Sequence, residues 1–179
     1  MAALQGGRFR SALSVIAEAM WQEYHKERRD ALASSIPSQQ FKILKDRAKA
    51  SRVFLYPVFR EGGYMTLISQ FQDTCFLFTF LEDYRKNPRA ATPWMCLTLY
   101  DEFLVDKGLG LLRGDVSHHL TREEGEYLIT QLVEHYTHSD MYKTLWTFNH
   151  EPKAFSFERY VRGVRKPEPV PKPPSNGDV

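Results

Sequence analysis

RVFLYPVFREGGYMTLISQFQDTCFLFTF, residues 52–80, carries the pattern that sets the fold of this chain. Residues 52–59 read as an extended, aromatic-rich run, and Pro57 in it argues for an edge position or a bulge, because proline cannot donate to a ladder. Glu61-Gly62-Gly63 reads as a tight hairpin turn, with Gly62 and Gly63 supplying the positive φ such turns use. A second run, residues 64–72, places Met65, Leu67 and Phe71 on one face and Tyr64, Thr66, Ile68 and Gln70 on the other. After a short turn at Gln72-Asp73, a third run over 74–82 puts Phe76, Phe78 and Phe80 on one face. Cys75, Leu77, Thr79 and Leu81 take the opposite one. Antiparallel sheets usually wet one face and bury the other. Here apolar side chains point both ways, so the sheet requires apolar cover on both sides.

Working outward, Leu13, Ile16, Met20 and Tyr24 recur at helical spacing after Ser11 and predict a helix with those residues inward, ending around Ser34–Pro37. Ser38 opens a second helix, with Phe41, Leu44 and Ala48 inward and Lys42, Lys45 and Lys49 outward. Glu82–Thr92 reads as a polar loop. Two further strands, Trp94–Asp101 and Leu109–Asp115, are joined by a turn at Asp106-Lys107-Gly108. Thr121 with Glu124 forms a capping box for a helix that carries Tyr127, Leu128, Leu132 and Tyr136 on one face. Residues 141–149 read as a last strand, which Phe148, Asn149 and Pro152 lock to a short closing element. The expected fold class is α+β: an antiparallel five- to six-stranded sheet with two N-terminal helices and one later helix packed on it. The organisation is a short N-terminal extension (1–11), a single domain (12–165) and a proline-rich C-terminal tail (166–179).

Composition removes several function classes. The 179 residues, 42% hydrophobic and 13% aromatic, suffice for one core, and a formal charge of +2 is too small for a nucleic-acid footprint. No apolar run approaches the roughly 18 residues of a membrane helix, so direct membrane insertion is not expected. Arg8 and Arg10 in an acid-free start weakly resemble a mitochondrial presequence. Cys75 and Cys96 could face each other on neighbouring strands, and two reduced, mostly buried thiols are the plainer expectation. His118, His119, His135 and His138 lack matching cysteine or carboxylate spacing for zinc. Asp115, Ser117 and His118 hold the letters of a catalytic triad without a nucleophile elbow. Gly108-Leu109-Gly110 lacks the third glycine of a dinucleotide loop. The residues therefore point to a binding surface before they point to chemistry.

Three modest helices are too few to cover both faces of such a sheet, which leaves apolar surface for another protein. Ile68, Phe76, Phe78 and Phe80 are the partner-binding candidates. Leu77 and Leu81 form the alternative set, since the sequence does not say which face of the third strand points outward.

An ordered series of short motifs resembles the mitochondrial ATP synthase assembly factor 1 family. It comprises Trp21-Gln22-Glu23-Tyr24, Ile36-Pro37, Phe41, Arg60-Glu61-Gly62-Gly63-Tyr64, Gln70-Phe71, Phe78-Thr79, Thr147-Phe148-Asn149, Pro152 and Phe155. Each motif is weak alone, and their order and spacing over residues 12–163 carry the resemblance. It implies a chaperone of the mitochondrial matrix, with no enzymatic activity and no cofactor, that holds the unassembled catalytic beta subunit of the ATP synthase. Departures are the Gly-Gly turn in place of a single glycine, the altered 82–93 connection, the proline-rich tail and a match that begins close to Met1. They open a second expectation: a stoichiometric structural subunit of a divergent mitochondrial ATP synthase, at the matrix face of the inner membrane.

Overall fold

The 52–80 stretch folds as the ladder its alternation predicts. The computed structural model describes residues 12–28 and 30–167, so the 1–11 extension, the targeting signal and most of the tail lie outside the described residues. In chain order the elements are α1 (Ala12–Lys26), β1 (Ala31–Pro37), α2 (Ser38–Ala50), β2 (Val53–Arg60), β3 (Gly63–Gln72) and β4 (Cys75–Phe80). They continue with α3 (Leu81–Lys86), β5 (Pro93–Tyr100), β6 (Leu109–Val116), α4 (Arg122–Thr137), α5 (Ser139–His150) and α6 (Phe157–Gly163). A 3-10 turn at Pro152–Ala154 links α5 to α6. The fold is α+β, with one antiparallel sheet ordered β1-β6-β5-β4-β3-β2. Among the described residues no helix is long and apolar enough to cross a membrane.

β2 is an edge strand, where Pro57 removes no ladder bond that the sheet needs. Glu61-Gly62 is the turn, and only Gly62 has positive φ, at 85°. Gly63 is not a turn residue: it is the first residue of β3, paired with Arg60. Register decides the two faces. Phe54, Ser69, Phe78 and Met95 lie in one row across β2–β5, and Phe71, Phe76, Leu97, Gly114 and Leu32 in another on the same side. This face is sealed by Phe41, Leu44 and Ala48 of α2, Leu128, Leu132 and Tyr136 of α4, and Leu145 of α5.

Three sequence readings are corrected. The first helix ends at Lys26, and Ala31–Pro37 pairs with β6 as the second edge strand. Alternation of Leu32 and Ile36 inward against Ser35 and Pro37 fits a strand better than a helix, and the β6 ladder satisfies its backbone. Residues 139–150 form α5 rather than a strand, since Tyr142, Leu145 and Asn149 share one helical side and pack on α4 and β2. Their aromatic, β-type composition misleads, because propensity yields to packing. The 82–92 loop begins with α3, and β4 stops at Phe80 instead of 82.

Polar groups tie these layers together. Thr121 and Glu124 form the expected capping box at α4. Arg60, at the end of β2, donates to both Glu124 carboxylate oxygens at 2.6 and 2.9 Å and to the His119 carbonyl at 2.7 Å. Burial raises the Glu124 pKa, but the Arg60 guanidinium and the Thr121 N–H outweigh it and hold the carboxyl below its usual range. On the free side of β2, the Asn149 side chain mimics a neighbouring strand. Its Nδ2 donates to the Val53 carbonyl at 2.7 Å, and its Oδ1 accepts from the Val53 N–H at 3.1 Å. This blocks part of an edge that would otherwise be open to pairing.

Candidate functional site

The four partner-binding candidates do not converge on one surface. Phe76 and Phe78 have 0% exposure on the helix-covered face. The Phe76 ring lies 5.4 Å from Tyr136 and 4.8 Å from Phe71, and Phe78 lies 5.7 Å from Tyr56. Phe80 is half-buried on the same face, stacked on Trp94 at 5.0 Å, which in turn stacks on His119 at 4.7 Å. Ile68 points the other way and is 7% exposed. The chain covers the phenylalanine face with its own helices, so Phe76 and Phe78 are core residues. Leu77, from the alternative set, lies on the second face and is half-buried, while Leu81 opens α3.

Among the described residues, that second face is covered only in part. At one end α1 crosses β1 and β6. Ala17 packs on Leu109 and Leu111, and Trp21 packs edge-on against Tyr100 at 5.6 Å while donating Nε1–H to the Leu112 carbonyl. Near β3 and β4, Gln70 donates to the Tyr84 hydroxyl of α3 at 3.2 Å. A half-buried band of this face includes Leu55 of β2, Leu77 and Cys75 of β4, and Cys96 and Thr98 of β5. Cys96 stands opposite Leu77 and Cys75 opposite Thr98, so the two free cysteines are diagonal neighbours. Burial, and next the Cys96 thiol, push the Cys75 pKa up to about 11, which leaves it a protonated, weakly nucleophilic thiol at neutral pH.

The outer side of α1 reverses the sequence reading. Ser14, Ala17, Trp21 and His25 face the sheet, whereas Leu13, Ile16, Met20 and Tyr24 are 64%, 55%, 68% and 65% exposed. The two stripes share one spacing, offset by a single residue. Periodicity therefore identified the larger apolar stripe, and the fold uses the smaller. Small Ser14 and Ala17 let the helix lie close to β1 and β6, and Trp21 finds a carbonyl for its indole N–H there. Five of the eight large apolar side chains that are exposed among the described residues belong to α1, with Val15 the fifth. A single exposed leucine means little, but a contiguous stripe on one helix is the usual mark of an interaction surface.

The remaining candidates have local structural roles. Phe148 packs against Phe54 and Phe155 at 5.6 and 5.0 Å, and Pro152 starts the 3-10 turn. His118 and His119 sit before α4, whereas His135 is buried in the core with Nδ1–H donated to the Gln131 carbonyl at 2.6 Å. Burial holds the His135 pKa down to about 4 despite that hydrogen bond. Among the described residues no three His, Cys, Asp or Glu side chains gather into a metal-ligand group.

Comparison with known proteins matches residues 11–161 to the family described as ATP11 protein. The chain is 27% identical over 141 residues to ATP synthase mitochondrial F1 complex assembly factor 1 of Mus musculus, covering 77% of this chain and 43% of that protein. It is 26% identical over 139 residues to the Danio rerio protein of the same name, covering 76% and 46%. The Homo sapiens protein of that name is 27% identical over 141 residues, with 77% and 43% covered. The chain thus spans less than half the length of the curated relatives it matches. With a family match across nearly the whole folded region, this chain belongs to the ATP11 protein family.

Proposed function

We propose that this protein is a mitochondrial ATP synthase biogenesis factor that binds the unassembled catalytic beta subunit through an apolar surface. The surface is the outward stripe of α1, continued by the half-buried band of the second sheet face around Ile68 and Leu77. The observation that carries the reading is the exposure of Leu13, Ile16, Met20 and Tyr24 on a helix already seated by its other side. Kinship with proteins named as F1 assembly factors gives that stripe a partner class. Permanent subunit interfaces are apolar at their cores, so a subunit awaiting assembly exposes such a face, and a matching apolar helix can shield it until its neighbour arrives. The role is non-enzymatic and needs only association and release.

Burying one such side chain contributes about 1.5–3 kcal/mol, and a few anchors usually dominate an interface. The test is co-purification of isolated beta subunit with the wild-type chain and with the Ile16→Asp/Met20→Asp double variant. Both positions are exposed, so the variant should keep wild-type circular dichroism and lose the subunit by at least about tenfold in affinity. Undiminished capture by a folded double variant would sink the proposal.

A further inference from the structure

A second concave site lies on the helical side, away from the α1 stripe. A cavity of about 730 Å³ opens between α4 and α5 on one wall and the Pro152–Ala154 turn with α6 on the other. This size is ordinary for a ligand site. Its apolar lining comes from Met141, Phe155, the Tyr160 ring and Val164. His135 lines it as well, kept neutral at physiological pH by burial.

The charges on the two walls are opposite and do not close on each other. Glu134 and Asp140 belong to the α4–α5 wall, Arg159 and Arg165 to the α6 wall. Asp140 pairs at 3.5 Å with Lys143 of its own helix, and Glu134 accepts from Gln131 of its own helix at 3.3 Å. Neither arginine forms an ion pair with a carboxylate of the described residues, unlike Arg60, Arg113 and Arg122. His138, at the α4–α5 junction, bonds through Nδ1 to the Glu134 carbonyl at 3.2 Å. The Thr144 hydroxyl, also lining the cavity, has no hydrogen-bond partner among the described residues.

We propose that this cleft is a docking site for a short peptide segment of a partner protein, with an apolar anchor flanked by one acidic and one basic side chain. An extended backbone sends successive side chains to opposite sides. It can therefore direct an acid to Arg159 and Arg165 and a base to Glu134 and Asp140, while the anchor rests on Met141 and Phe155. Thr144 supplies a bond to the peptide backbone. A purely anionic or purely cationic ligand would meet like charge on one wall, which disfavours it.

The experiment is selection of a random 12-residue peptide display library on the full chain, with affinities of the enriched peptides measured by fluorescence anisotropy. Selected peptides are expected to bracket an apolar residue with an acid and a base. They should bind at least about tenfold more weakly to Met141→Arg, which fills the cleft, and to Arg159→Glu, a surface change that the fold tolerates. Exchanging the peptide's acid for a base should restore affinity for Arg159→Glu. Binding to Ile16→Asp/Met20→Asp should be unchanged, which separates this site from the α1 stripe. Failure to enrich any peptide, enrichment lacking the mixed-charge pattern, or affinities indifferent to both cleft variants would each overturn the assignment.

Discussion

At position 78 the side chain is fully enclosed by Tyr56, Met95 and the helices above them. Replacing Phe78 with Asp would bury a charge with no partner and open a cavity, at a combined cost well above ~3 kcal/mol. We expect Phe78→Asp to lose the cooperative thermal transition. Leu77→Asp, one residue along on the half-buried face, should retain it, and equal melting of the two variants would contradict the assignment of faces. The sequence could not choose between these neighbours, since both faces of the strand are apolar. The helices elsewhere in the chain, α2 before the strand and α4, α5 and α6 after it, decide which side is sealed. His135 gives a second residue-level test. Its folded pKa of about 4 lies below the ordinary 6.5, so between those values the unfolded chain binds a proton that the folded chain does not. Stability should therefore fall by up to about 3 kcal/mol as pH drops from 6.5 to 4, and change little from this source above or below that window. Urea titrations at pH 7 and pH 5 should show the loss in the wild type and a reduced one in His135→Phe.

Among the elements, β2 to β6 were legible because alternation, a Gly62 turn and clear breaks all agree. The helices α2 and α4 were legible for the same reason, the latter down to its Thr121–Glu124 capping box. β1 was hidden because Ala31–Pro37 is short, serine-rich and follows a helix without a strong stop signal. α5 was hidden because Tyr142, Trp146, Thr147 and Phe148 are good strand formers, and it is packing on α4 and β2 that holds them helical. The seating of α2 depends on β6 in a way that no sequence period announces. The Phe41 ring lies against the Cα of Gly110, in the space that a side chain there would fill. Gly110→Val should force α2 away from the sheet and destabilise the fold by at least ~2 kcal/mol, read as a lowered midpoint in urea. An unchanged midpoint would show that α2 can shift freely.

For the whole molecule, the sheet separates two different surfaces. Among the described residues, one side is closed by α2, α4, α5 and α6 and carries the mixed-charge cleft, and the other is closed only where α1 and α3 lie across it. The sequence argument placed the uncovered apolar surface on the sheet beneath three helices; among the described residues six helices form, the phenylalanine row is sealed, and most of the exposed large apolar side chains sit on α1. Offset stripes with equal spacing on one helix explain the exchange, because period alone cannot say which stripe meets the sheet. The decisive measurement is amide hydrogen exchange of the full chain with and without isolated beta subunit. The account predicts slowed exchange in α1 (residues 12–26) and in β3 and β4 where they carry Ile68 and Leu77, with α5 on the opposite side of the sheet unchanged. Complex formation that leaves exchange in α1 unaltered would contradict it.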